Sequence, residues 1–123
     1  MADILLLDDS IELLEMFGML FKHKGLGLRS VTSEPSFLKE INQQKPDLVI
    51  LDILLSGSDG REICLSLKSN DNTKDVPVIM MSANPKLLAS CKGVCGEDYL
   101  EKPFDLKAND NNPSCIFQYG KRY

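Results

Sequence analysis

With 123 residues, 43% of them hydrophobic, the chain holds enough apolar material for one core and too little for two ordinary domains. Its formal charge is −4 and its Lys and Arg residues form no cluster, which argues against direct, non-specific binding of nucleic acid. No Lys- or Arg-rich start precedes an apolar stretch, and the run Ile4–Leu7 is too short for a signal peptide or a membrane span, so a cytosolic compartment is the default expectation.

In chain order, Ile4–Leu7 reads as a first strand and is followed at once by Asp8 and Asp9. A helix is predicted over Ile11–Lys24, with Leu13, Leu14, Phe17, Leu20 and Phe21 at helical spacing and a capping box from Asp9 to Glu12; Gly25 stops it. Leu28–Thr32 is a weaker strand. Ser33 caps a second helix that has Pro35 in its first turn and Phe37, Leu38 and Ile41 on its inner face. Leu48–Leu51 is a third strand and runs directly into Asp52. The third helix, Gly60–Lys68, is expected to bury Ile63, Cys64 and Leu67. Val76–Met81, interrupted only by Pro77, is a fourth strand that leads to Ser82. A fourth helix starts near Pro85, uses Leu87, Leu88 and Cys91, and is broken by Gly93 and Gly96. Tyr99 and Leu100 mark a short fifth strand before Lys102 and Pro103.

Three of these strands are continuously apolar, without polar alternation, as strands covered on both faces should be. The alternation of strand and helix implies an α/β fold, a doubly wound five-stranded parallel sheet with right-handed crossovers. Ligands in such sheets sit beyond the carboxyl ends of the strands. The end of the chain departs from this pattern. Ala108–Pro113 is polar and helix-poor, so the fifth helix is expected to be irregular or truncated. The expected division is a domain over residues 1–107 and an atypical segment, 108–123, acting as a linker or an end.

The cysteines Cys64, Cys91, Cys95 and Cys115 include no Cys-x-x-Cys pair, and His23 is the only histidine. Reduced thiols filling helix faces are the expectation, with a disulfide or metal role as the lesser alternative.

Asp8, Asp9, Asp52, Ser82 and Lys102 all follow strands, so the fold gathers them on one rim. Three carboxylates there repel one another unless a cation intervenes. Mg²⁺ suits such an oxygen-only site. Lys102 offers an ammonium that can pair with Asp52, and a cis Lys102–Pro103 bond would turn it inward. Singly, these residues read as helix caps, a solvated strand end, a turn and a helix start; together they do not.

The strings Leu6-Leu7-Asp8-Asp9, Leu51-Asp52-Ile53, Gly57-Ser58-Asp59-Gly60, Met81-Ser82-Ala83-Asn84 and Asp98-Tyr99-Leu100-Glu101-Lys102-Pro103-Phe104 resemble the receiver domain of two-component response regulators, through about residue 106. The resemblance implies the flavodoxin-like strand order 2-1-3-4-5 of a chemotaxis receiver. It makes Asp52 the phosphoacceptor and Asp8, Asp9, Asp52 and the Leu54 carbonyl the Mg²⁺ ligands. Ser82 and Lys102 become the switch hydroxyl and the phosphate-binding lysine, and Tyr99 the aromatic reporter of state. Leu88 and Tyr99 are expected on the surface that changes. The implied partners are a sensor histidine kinase or histidine phosphotransfer protein and an output domain or effector, with no membrane contact. Such a domain catalyses its own phosphorylation and dephosphorylation, yet acts chiefly as a signalling switch.

Three departures stand out. Ser56 occupies a position where the family commonly has Pro, apolar Leu54 cannot orient attacking water and implies slow dephosphorylation, and the tail lacks a convincing amphipathic fifth helix. Asn84 remains a candidate for positioning that water. The leading alternative is a phosphorylation-independent, receiver-like interaction module. A flavodoxin-like electron carrier lacks the Gly-rich phosphate loop it needs, and a small phosphatase lacks a substrate-enclosing insertion.

Overall fold

The computed structural model describes residues 2–102. The elements run β1 (Asp3–Leu7), α1 (Ile11–His23), β2 (Gly27–Val31), α2 (Glu34–Gln43), β3 (Leu48–Asp52), β4 (Leu54–Leu55), β5 (Ser58–Asp59), α3 (Gly60–Ser69), β6 (Val78–Ser82), α4 (Pro85–Cys91) and β7 (Asp98–Glu101). Five strands form one parallel sheet in the order β2-β1-β3-β6-β7, the doubly wound order expected. The two-residue strands β4 and β5 form a separate antiparallel hairpin between β3 and α3, too short to show in a hydrophobic pattern.

Period-two alternation distributes the apolar side chains between two cores. Leu5, Leu7, Val49, Leu51, Val78 and Met80 face α2, α3 and α4, against Phe37, Ile63 and Leu67. Ile4, Leu6, Leu48, Ile50, Ile79 and Met81 face the opposite way, where α1 supplies Phe17 and Phe21 in an edge-to-face pair with centroids 5.5 Å apart. Burying each such Leu, Ile or Phe side chain is worth roughly 1.5–3 kcal/mol. Continuous apolarity along β1, β3 and β6 thus reflects burial on both faces.

Local chemistry adjusts several boundaries. Ser10, not Asp9, caps α1, its side chain accepting from the Leu13 N–H at 3.3 Å. Asp9 is therefore released from the capping role. Ser33 caps α2 as expected, and Asn84 caps α4 with its side-chain oxygen 2.9 Å from the Lys86 N. β6 begins at Val78 rather than Val76. Pro77 has no N–H to give the ladder, although its carbonyl accepts from the Val49 N–H at 3.0 Å. Leu88 is 6% exposed and packs into the core, so it is not part of the outer surface of α4.

The cysteines correct another expectation. Cys64 on α3 and Cys95 between α4 and β7 are joined in a disulfide, their Cα atoms 6.3 Å apart, whereas Cys91 is a buried free thiol. Thirty-one residues separate the bonded pair, so no local spacing announces it. Cys115, the fifth helix, residues 108–123 and the geometry of the Lys102–Pro103 bond lie outside the described residues. Among the described residues no helix is long and apolar enough to cross a membrane.

Candidate functional site

The β1–β3 register pairs Leu7 with Leu51, so the next residues, Asp8 and Asp52, stand side by side at the carboxyl edge of the two strands. Asp8 is fully buried and Asp52 is 5% exposed, while Asp9 is open to solvent. One carboxylate oxygen from each of the three lies within 4.8 Å of the others, an all-oxygen donor set that could hold a hard cation.

Each acid is fixed by its neighbours. Asp8 Oδ1 accepts from the Ser10 N–H at 2.8 Å, so the residue that caps α1 also orients the buried carboxylate. Asp9 Oδ2 accepts from the Ser56 N–H at 3.1 Å, across the β4–β5 turn. A proline at 56 would have no proton to donate there. Serine at this position therefore gives Asp9 a backbone anchor.

Lys102 arrives from the far side. Its N–H donates to the Ser82 carbonyl at 2.8 Å, prolonging the β6–β7 ladder by one step and holding the residue at the rim. Its Nζ lies 2.6 Å from Asp8 Oδ2 and 3.4 Å from Asp52 Oδ2. Asp8, rather than the expected Asp52, is thus the closer partner, and the ammonium bridges the two. It does not fully offset the surroundings of Asp52. Burial and the Asp8 charge push the Asp52 carboxyl up to about 6, against a smaller lowering by Lys102.

Ser82 ends β6 and is 1% exposed; its Oγ accepts from the Asn84 N–H at 3.0 Å. As an acceptor there, it keeps its own proton to donate. Tyr99 on β7 is half-buried, its hydroxyl 3.1–3.2 Å from the carbonyls of Cys91, Cys95 and Gly96. The ring is anchored in the α4–β7 connection. Leu54 is 59% exposed, its backbone paired with Asp59 in the hairpin beside Asp52. Asn84 commits its side-chain oxygen to the α4 cap.

Gly60 has a role visible only in three dimensions. A Cβ there would lie 2.2 Å from the Asp52 carbonyl oxygen and 2.9 Å from the Ile53 Cα. The Gly60 N–H also donates to the Ile53 carbonyl at 2.8 Å, pressing the start of α3 against the backbone that carries Asp52. Gly60→Ala should cost about 2–3 kcal/mol and displace Asp52. Urea denaturation measures the first and amide shifts at residues 51–54 the second; unchanged values in both would refute the close approach.

The family model for the response regulator receiver domain matches residues 4–109. The chain belongs to this family. As a receiver domain it is 28% identical over 109 residues to the sensory transduction protein RegX3 of Mycobacterium tuberculosis, covering 87% of this chain and 47% of that one. It is 27% identical over 124 residues to the DNA-binding response regulator MtrA of Mycobacterium leprae, covering 90% and 54%. The chain thus spans about half the length of these curated relatives. The N-terminal domain of a response regulator receiver protein from Methanoculleus marisnigri superposes with a TM-score of 0.73 at 27% identity, over 99% of this receiver domain and 94% of that chain.

Proposed function

We propose that Asp52 accepts a phosphoryl group from the phosphohistidine of a sensor histidine kinase or phosphotransfer protein, and that the acyl phosphate alters partner binding. The observation that supports this most directly is the meeting of Asp8, Asp9 and Asp52 within 4.8 Å, with the Lys102 ammonium 2.6 Å from one of them. The donor chemistry suits Mg²⁺ held by Asp8, Asp9, Asp52 and the Leu54 carbonyl, and the bound ion would supply positive charge to the phosphoryl oxygens.

The remaining roles belong to the chain itself. The Asp52 carboxylate is largely ionised at pH 7 even with its raised pKa of about 6, so it attacks phosphorus without a base. Lys102 neutralises charge on an equatorial oxygen as the phosphoryl group transfers. Ser82 turns its hydroxyl proton toward a phosphoryl oxygen. Tyr99 responds through the α4–β7 connection, and that surface carries the message to an output domain or effector. Exposed Leu54 has no hydrogen bond to offer an attacking water, which supports slow dephosphorylation. The protein so assists both the gain and the loss of its phosphoryl group but serves mainly as a switch. The same reading assigns residues 1–107 to the receiver and 108–123 to a linker or end, places the reaction in the cytoplasm, and gives this domain no direct contact with nucleic acid or membrane.

Incubation with a small phosphoryl donor and Mg²⁺ tests the proposal. Intact mass should rise by one phosphoryl group in the parent and not in Asp52→Asn. A parent that gains no phosphoryl group from small donors or kinases, yet still binds its partner, would establish the phosphorylation-independent interaction module instead.

A further inference from the structure

The Cys64–Cys95 bond joins two elements that bear differently on the proposed switch. Cys64 lies on the inner face of α3, the helix whose first residue, Gly60, is hydrogen-bonded to the Ile53 carbonyl beside Asp52. Cys95 lies in the α4–β7 connection. Its carbonyl, together with those of Cys91 and Gly96, surrounds the Tyr99 hydroxyl at 3.1–3.2 Å. The bond therefore ties the seat of Tyr99 to the helix that abuts the phosphoacceptor. We propose that Cys64 and Cys95 form a reversible dithiol–disulfide couple whose oxidation clamps the α4–β7 connection, and with it Tyr99, onto α3.

Several features make the reduced form a folded alternative. Lys68 on α3 separately bonds the Glu97 carboxylate and the Val76 carbonyl, the latter at 2.7 Å, so a polar link between α3 and the connection survives loss of the covalent one. Both sulfurs lie in the core shared by α3 and α4, where thiols are ordinary apolar occupants. Access is lopsided. Cys64 is fully buried, while Cys95 is 6% exposed and follows the exposed segment Lys92–Val94. An incoming disulfide thus reaches Cys95 first. The third thiol among the described residues, Cys91, is held apart from this pair: its Sγ–H donates to the Leu87 carbonyl at 3.5 Å, within its own helix.

The reaction is thiol–disulfide exchange with a small-molecule or protein disulfide, R–S–S–R. The Cys95 thiolate attacks one sulfur of R–S–S–R and expels RS⁻. The Cys64 thiolate then attacks the Cys95 sulfur of the mixed disulfide and expels the second RS⁻. Two electrons pass from the protein thiols to the R–S–S–R bond, and the two thiol protons end on the two departing thiolates. Reduction reverses every step.

The effect on Tyr99 deepens the switch reading, but its test needs no phosphoryl group. The full chain is equilibrated in buffers of reduced and oxidised glutathione, and the bonded pair is identified by peptide mass. Amide exchange is then compared between the two forms of the unsubstituted protein. The expected result is conversion between a Cys64–Cys95 disulfide and two free thiols, with exchange of residues 92–99 about tenfold slower in the oxidised form. Cys91→Ser should leave the pairing unchanged. Failure of the pair to interconvert, a bond involving Cys91 or Cys115 instead, or equal exchange in the two forms would overturn the proposal. A chain that shows the redox effect but never accepts a phosphoryl group would refute the phosphoacceptor reading alone.

Discussion

Replacing Lys102 with Met should lower stability at pH 7 by about 3 kcal/mol when divalent cations are chelated, and most of that loss should return when Mg²⁺ is added. Met preserves the apolar stem and removes only the charge and its donors. The ammonium stands 2.6 Å from a fully buried Asp8 and 3.4 Å from Asp52. Among the described residues it is the cation that bridges the two acids. Without it, three carboxylates within 4.8 Å face one another uncompensated. Breaking a buried pair by deleting one partner is far more damaging than the small net worth of the pair implies, because the stranded charge remains desolvated. In thermal melts the loss corresponds to a fall of roughly 10 °C for a domain of this size. Mg²⁺ should recover the Met variant more than it raises the parent. A melting temperature within about 2 °C of the parent in chelator would show that Lys102 does not neutralise the cluster.

Asp52→Asn should act in the opposite direction. It should abolish the phosphoryl acceptance proposed above, yet in the absence of divalent cation it should stabilise the fold at pH 7 by about 2–3 kcal/mol. The folded protein pushes the Asp52 carboxyl up from 3.8 to about 6, chiefly by burial and then by the Asp8 charge. The folded state therefore binds this proton more tightly than the unfolded chain does. Above about pH 6 both states are ionised at this position, and the folded state carries the penalty. As pH falls through 6 toward 4, the folded carboxyl protonates first and the penalty disappears. Below about 4 both states are protonated and the group contributes nothing. The advantage of Asn over Asp should thus be full above pH 6, shrink between 6 and 4, and vanish below. Urea titrations of both proteins across this range measure it. An Asn variant less stable than the parent at pH 7 would mean that Lys102 attraction outweighs burial and Asp8 repulsion.

Most of the architecture was readable from the amino-acid order because burial on both faces writes itself as unbroken apolar runs. Ile4–Leu7, Leu48–Leu51 and the core of Val76–Met81 all became strands of the central sheet. The rim residues were readable for the same reason. Once a strand is placed, the polar residue that ends it is placed too, which put Asp8, Asp52, Ser82 and Lys102 on one edge. Which carboxylate the lysine prefers was not readable. That depends on the reach of one side chain and on the Ser82 carbonyl that fixes its backbone, neither of which has a local pattern. Cap competition was equally hidden, since Asp9 and Ser10 are both good caps, and it is a contact 47 positions away, from the Ser56 N–H, that occupies the Asp9 carboxylate while Ser10 caps the helix. The Cys64–Cys95 contact joins a helix to a loop 31 residues away, and no periodicity records it. Gly60 appeared only as one letter of a motif, whereas its necessity lies in the Asp52 carbonyl 2.2 Å from where a methyl would stand.

The position of Lys102 immediately after β7, the border strand of the sheet, has an energetic consequence. Among the described residues β7 is paired on one side only, by β6, and the end of a strand so held is the easiest to peel away. Here peeling would withdraw the ammonium and leave buried acids bare, so electrostatic attraction acts as a latch on the sheet margin. A divalent ion bound to the same acids would take over their neutralisation and relax that latch. Loading the pocket and loosening the margin are then two aspects of one charge balance, and ionic conditions alone can tune how readily β7 yields.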